Sequence, residues 1–210
     1  TCPHIGNYGI NPADFESDGL HLEGLAVREY CPYPSNWRST QSLGGLLEER
    51  GGPGLSGIDT RALTRHIRSA GAMRGVISTK DRGDRELVDL ARGYPGLVGR
   101  NLVKDVSTGK IYRWEEPTVD AFRTDKSGIE AIGRGLTVAV FDFGVKRNIL
   151  RRLEALGVEV LVVPWNASPE DVMALEPDGI LLSNGPGDPA AVDRGAESVR
   201  GLLGKVPVFG

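Results

Sequence analysis

The stretch ILLSNGPGDP, Ile180 to Pro189, decides how this chain folds. Gly179-Ile180-Leu181-Leu182 is a short, uninterrupted apolar run, as expected of a strand buried on both faces of a parallel sheet. It stops at Ser183-Asn184 and passes into Gly185-Pro186-Gly187-Asp188-Pro189, after which AAVDRGAESVRGLL has helical spacing. Two glycines around a proline make a stiff loop with no side chains over its amides. At the carboxyl end of a strand in an α/β sheet, such a loop lies where these sheets bind ligands. Its N–H groups can donate to a carbonyl oxygen that is becoming negative. The plainer account is a tight strand-to-helix turn in which Asp188 and Pro189 start the helix.

Working outward, residues 136–210 alternate between strand and helix patterns. Leu136 to Phe143 is a β-branched apolar run. VKRNILRRLEALG follows with Ile149, Leu150, Leu153 and Leu156 on one face and Gly157 as its stop. Val158 to Pro164 is a second strand, and Ser168 caps a short helix, Pro169 to Leu175. Gly179 to Ser183, a helix after Pro189 and a strand from Val206 to Phe209 complete the series. Strands separated by helices of this length require a parallel sheet with right-handed crossovers.

Residues 1–117 carry more Gly, Pro and polar turns. Asp59 or Thr60 caps a helix through TRALTRHIRSAG that Gly71 ends, and Glu86 to Gly96 contains a second. Val76-Ile77-Ser78 is expected to be a strand between them. EEPTVDAFRTDKSGIEAIGRG is polar and aperiodic, which places a linker at 118–135.

The 210 residues are 40% apolar and 25% charged, the composition of an ordinary globular protein. A net charge of −3 gives no electrostatic footprint for nucleic acid. No apolar run approaches the ~20 residues of a membrane span, and the N-terminus lacks the pattern of a signal peptide. Two cysteines, Cys2 and Cys31, are too few for a disulfide framework and lack metal-ligand spacing. A cytoplasmic protein without nucleic-acid or membrane partners is expected.

The full string SNGPGDP resembles the oxyanion-strand loop of class I (triad-type) glutamine amidotransferases. PHIGNYG (Pro3 to Gly9), PSNWRS (Pro34 to Ser39), GIDTRALTRHIRSAGAMRGVI (Gly57 to Ile77) and YPGLVGRNLVKDVS (Tyr94 to Ser107) resemble the small subunit of carbamoyl-phosphate synthase, as does VAVFDFGVKRNILRRL (Val138 to Leu153). The resemblance covers nearly the whole chain in the family's order. It implies an α/β fold: a small-subunit N-terminal domain over 1–117, the linker, and over 136–210 the first half of a parallel-sheet class I amidotransferase domain.

That family hydrolyses glutamine and passes ammonia to a large subunit, a ligase that uses ATP, with Mg, and bicarbonate to make carbamoyl phosphate for arginine or pyrimidine biosynthesis. The resemblance implies L-glutamine as substrate, the large subunit as partner, no cofactor held by this chain, and backbone contacts from Gly185 and Gly187 to glutamine. A side chain added at either glycine is expected to stand where the substrate approaches. The activated cysteine, histidine and glutamate of the family are expected beyond Gly210, and a substrate-binding serine before Thr1. The chain is thus expected to be a fragment of a longer protein, inactive as a glutaminase on its own. Two alternatives are another class I amidotransferase and a catalytically inactive interaction subunit; a Gly-x-Cys-x-Gly turn downstream would mark the enzyme.

Other residues invite functional readings that their context does not support. Cys2 and Cys31 lie on no strand-to-helix turn and are expected to be small half-buried residues. His4 is expected to form a structural hydrogen bond and His66 to sit on a helix face, while His21 matches no catalytic motif. Asp142-Phe143-Gly144 spells the kinase metal-binding tripeptide without that family's other motifs. Gly52 to Gly57 fits GxGxxG but follows a helix-like LLEER, so a surface loop is expected instead. Asn166-Ala167-Ser168 is a glycosylation sequon in a chain with no other sign of secretion.

Overall fold

In the computed structural model, which describes residues 2–116 and 132–210, the chain divides into two compact units, Thr1–Leu97 and Val98–Gly210.

The first unit is built on a parallel sheet in the order β1-β2-β3, from β1 (Cys2–Ile5), β2 (Leu25–Tyr30) and β3 (Gly54–Leu55). Helix α1 (Leu43–Arg50) crosses from β2 to β3, with Ser42 accepting from the Gly45 amide at its start and Leu47 buried beneath it. Gly54 and Leu55, expected in a surface loop, instead pair with Leu25 and Ala26, because the turn out of α1 returns the chain to the open edge of β2. Helix α2 (Thr60–Ala70) runs from an Asp59 cap to Gly71, as its sequence signals require, and α3 (Asp84–Gly93) begins two residues before its expected start. Val76–Ser78 is not a strand: no ladder hydrogen bond reaches it among the described residues, and Val76 is exposed. β-propensity without a partner edge does not make a strand.

The second unit has a five-stranded sheet in the order β4-β6-β5-β7-β8. Its strands are β4 (Tyr112–Arg113), β5 (Thr137–Asp142), β6 (Glu159–Pro164), β7 (Gly179–Leu182) and β8 (Val208–Phe209), and all but β4 run parallel. Helices α4 (Arg147–Ala155), α5 (Pro169–Met173) and α6 (Asp193–Leu202) make the crossovers. The chain goes from β5 outward to β6, then returns past β5 to β7 and on to β8. With right-handed crossovers that reversal sends α4 to one face and both later helices to the other. Packing agrees: Leu150 of α4 joins Val140, Val160 and Val162 on one face, while Val172 of α5 and Leu202 of α6 join Ala139, Phe141 and Ile180 on the other. Both contiguous apolar clusters among the described residues lie in this unit.

Residues 98–116, which the composition shift groups with the first region, pack with the second unit. β4 closes the outer edge of β6, and backbone groups of Gly99, Ser107 and Thr108 bond within the same unit. Of the expected linker at 118–135, residues 118–131 lie outside the described residues, and 132–135 form a turn into β5.

Candidate functional site

β5 and β7 are neighbours whose following connections leave on opposite sides of the sheet. This is the switch point at which open α/β sheets form a crevice beyond the strands' carboxyl ends. Asp142-Phe143-Gly144 leaves β5 there, and Ser183-Asn184-Gly185-Pro186-Gly187-Asp188 leaves β7 beside it.

The two turns are stitched together. The Ser183 hydroxyl accepts from the Phe143 amide (3.0 Å) and donates to the Asn184 carbonyl (2.9 Å). Asn184 Nδ2 donates to the Gly144 carbonyl (3.2 Å). Gly185 then passes so close to the first turn that a Cβ placed on it would lie 2.5 Å from the Phe143 carbonyl oxygen. Gly187 has φ +85°, a conformation that costs a side chain strain, and its missing Cβ points at Leu102, 3.4 Å away. An added side chain would meet the protein itself at both positions. At Gly185 a side chain would strike the neighbouring turn, and at Gly187 it would face Leu102. Glycine is required here by the fold of the loop itself.

What the loop offers a ligand is its backbone. Gly185 and Gly187 are exposed, and among the described residues no group accepts from either amide. Both glycines line a cavity of about 410 Å³ whose apolar walls include Val103, Phe143, Leu182 and Val192. That volume is in the range of small-molecule sites, which are mostly apolar with a few fixed polar groups.

Asp188 and Pro189 do start a helical turn, but it is a 3-10 turn, Pro189–Ala191, and α6 begins only at Asp193. Asp188 Oδ1 accepts from the Ala190 amide (3.0 Å) and Oδ2 from the Gly99 amide (3.0 Å). These bonds, that from Gly99 foremost and that from Ala190 next, hold its carboxyl below the usual aspartate value. A depressed folded pKa means the bonds contribute fully above the unfolded value, about 3.9, and are lost as pH falls through the folded one. In an NMR titration the Gly99 amide should therefore hold its shift at neutral pH and move only below about pH 4. A midpoint near neutrality would contradict the pairing.

Asp142 drew notice in the sequence only as part of the kinase-like tripeptide, with no role of its own. It is buried at the end of β5, its Oδ1 accepting from the amides of Gly144 (3.0 Å) and Val145 (2.8 Å) and its Oδ2 from Thr108 (2.7 Å). An acid closing an otherwise apolar strand, before a glycine turn, is the signal that marks it. The Phe and Gly beside it serve the turn, and the kinase-like tripeptide is explained without a metal. Among the described residues no three or more His, Cys, Asp or Glu side chains gather as a metal site.

The other candidates lie away from the loop in sequence, and the structural hydrogen bond expected of His4 is replaced by a longer contact with a carboxylate. Cys2 and Cys31 are half-buried in the first unit, their thiols donating to the carbonyls of His4 and Tyr33. His4 lies 3.6 Å from Glu29 on β2, and His66 is exposed on α2. Ser168 of the sequon caps α5. No helix among the described residues is long and apolar enough to cross a membrane.

Residues 1–77 match the CPSase domain of the carbamoyl-phosphate synthase small chain, and residues 139–210 match class-I glutamine amidotransferase. Proteins named carbamoyl phosphate synthase small chain align over 100% of the chain. That of Syntrophotalea carbinolica is 50% identical, that of a Nostoc species 48% and that of Thermosynechococcus vestitus 49%. The chain covers 54–55% of those proteins, so it spans about half the length of the curated relatives it matches.

Proposed function

Since the chain belongs, along its whole length, to the carbamoyl-phosphate synthase small-chain family, we propose that it forms part of a glutaminase subunit. The subunit would hydrolyse L-glutamine and pass the ammonia to a large-chain partner in the cytoplasm. That partner would hold ATP and Mg and make carbamoyl phosphate from bicarbonate, for arginine or pyrimidine synthesis. The observation that carries this reading is the pair of unengaged amides at Gly185 and Gly187, held over an apolar cavity at the switch point of a parallel sheet.

Attack on the side-chain amide of glutamine by a thiolate drives negative charge onto the carbonyl oxygen. Fixed N–H donors stabilise that charge without reorganising. The rigid stitching of the loop to Asp142–Gly144 supplies the fixed geometry. On this reading neither Cys2 nor Cys31 is the nucleophile; their thiols donate to the nearby carbonyls of His4 and Tyr33. Replacing each with serine should leave glutamine-dependent synthesis by the complete protein within about twofold.

The direct test is amide NMR of the complete small chain in its complex with the large chain. A glutamine analogue should shift and protect the Gly185 and Gly187 amides from exchange. An analogue that inhibits the enzyme yet leaves both amides unperturbed would refute the assignment.

A further inference from the structure

Two carboxylates at the carboxyl edge of the second sheet are divided in the same way. Asp142 gives Oδ1 to the amides of its own turn, Gly144 and Val145, and Oδ2 to the Thr108 amide. Asp188 gives Oδ1 to its own turn, at Ala190, and Oδ2 to the Gly99 amide. In each case one oxygen builds the local turn and the other reaches a single distant segment, 99–108. That segment is fastened between them as well. Ser107 Oγ accepts from the Trp165 amide (3.1 Å), beyond the end of β6. Leu102 packs under Gly187, the Arg100 carbonyl lies 3.5 Å from where a Gly187 Cβ would be, and Val103, 2% exposed, forms one wall of the cavity.

We propose that residues 99–108 are a positioning strap that fixes the Ser183–Asp188 loop and one wall of its cavity, with Asp142 and Asp188 as its two anchors. The strap crosses the ends of β5, β6 and β7, so it sets these connections relative to one another. A loop with only its own turn bonds would keep its local shape but lose its register against Phe143 and the cavity wall. A donor that must meet a developing charge loses most of its effect when displaced by about 1 Å. This inference rests on the reading of the loop as the glutamine site.

The division of labour supplies its own test. In Asp142→Asn and Asp188→Asn the side chain can keep a carbonyl oxygen on its own turn while turning an NH2 toward the strap amide. Each variant should release the strap without dismantling the turn. Measured in the complete small chain with its large-chain partner, each should lower glutamine-dependent kcat/KM about tenfold or more, the scale of a lost bond to a charged acceptor. Ammonia-dependent synthesis should stay within twofold, and amide exchange at Gly99 or Thr108 should rise. Asp178→Asn, which removes a carboxylate bonded to the Thr137 amide at the opposite end of the sheet, should leave glutamine kinetics unchanged.

Faster exchange in the strap with wild-type glutamine kinetics would overturn the positioning role. Equal losses from Asp178→Asn would also overturn it, by showing a general loss of stability. Should either anchor variant fail to fold, Leu102→Ala is judged by the same two rates. If instead a glutamine analogue fails to perturb Gly185 and Gly187 in the wild type, the glutamine-site reading falls first and independently of the strap.

Discussion

Replacing Gly185 with alanine in the complete protein is expected to lower glutamine-dependent synthesis by about 10²- to 10³-fold, the cost of losing one oxyanion-type donor. The new methyl would sit 2.5 Å from the Phe143 carbonyl oxygen, well inside any contact real atoms make, so the loop must move off the β5 turn. Under the proposed function, ammonia-dependent synthesis would bypass this loop and should be unaffected. Gly187→Ala should be milder, because its Cβ would meet Leu102 at 3.4 Å and the main cost is the positive φ. Steady-state rates with glutamine and with ammonia, measured on the same preparations, decide the matter. Equal rates for Gly185→Ala and wild type would remove the loop from the chemistry.

Phe141→Ala should destabilise the second unit by about 3–5 kcal/mol, the range for emptying a fully buried aromatic site. Phe141 is 0% exposed at the centre of the sheet, and its ring stacks on Phe143 with centroids 6.0 Å apart. The cavity would open where β5 meets α5 and α6, among Ala139, Val163, Val172 and Leu202. Against a typical domain stability of about 5–15 kcal/mol this is a large share. Leu203→Ala, at an exposed position just after α6, should change stability by no more than about 0.5 kcal/mol. Denaturant unfolding of both variants checks the contrast, and similar midpoints would contradict the assigned core.

The four parallel strands of the second sheet were legible because they are apolar runs and the helices between them carry their own stop and cap signals, whereas the antiparallel β4, Tyr112–Arg113, has no such run and was not. Gly157 and Ser168 stand at the ends of α4 and the start of α5 as their sequence context requires. The helix after Pro189 was legible in kind but not in start, since the 3-10 turn satisfies Asp188 locally before the α-helical spacing begins at Asp193. Val76–Ser78 shows the limit of propensity. A strand is a relation between two segments, and the apolar triplet carries no information about a partner.

At the loop, sequence marked Gly185 and Gly187 but not the protein contacts that an added Cβ would meet there. Close approach to Phe143 is a tertiary fact that no local pattern encodes. The roles of Asp142 and of segment 99–108 were hidden for the same reason. Their hydrogen bonds join positions 34 and 89 residues apart, whereas caps and turns operate within a few residues.

Those separations also order events during synthesis. A ribosome adding ~5–20 residues per second finishes β4 some seconds before its partner strand exists, since Tyr112 pairs with Val162 about 50 residues later. Thr108 can meet Asp142 first, and Gly99 must wait for Asp188. Each wait leaves a nascent segment without its partner, and closing the longer loop carries the larger entropy cost. The loop from Ser183 to Asp188 is thus tied to Gly99 only after 89 further residues have been added, and a pause in translation before Asp188 would leave Gly99 unanchored for as long as it lasts.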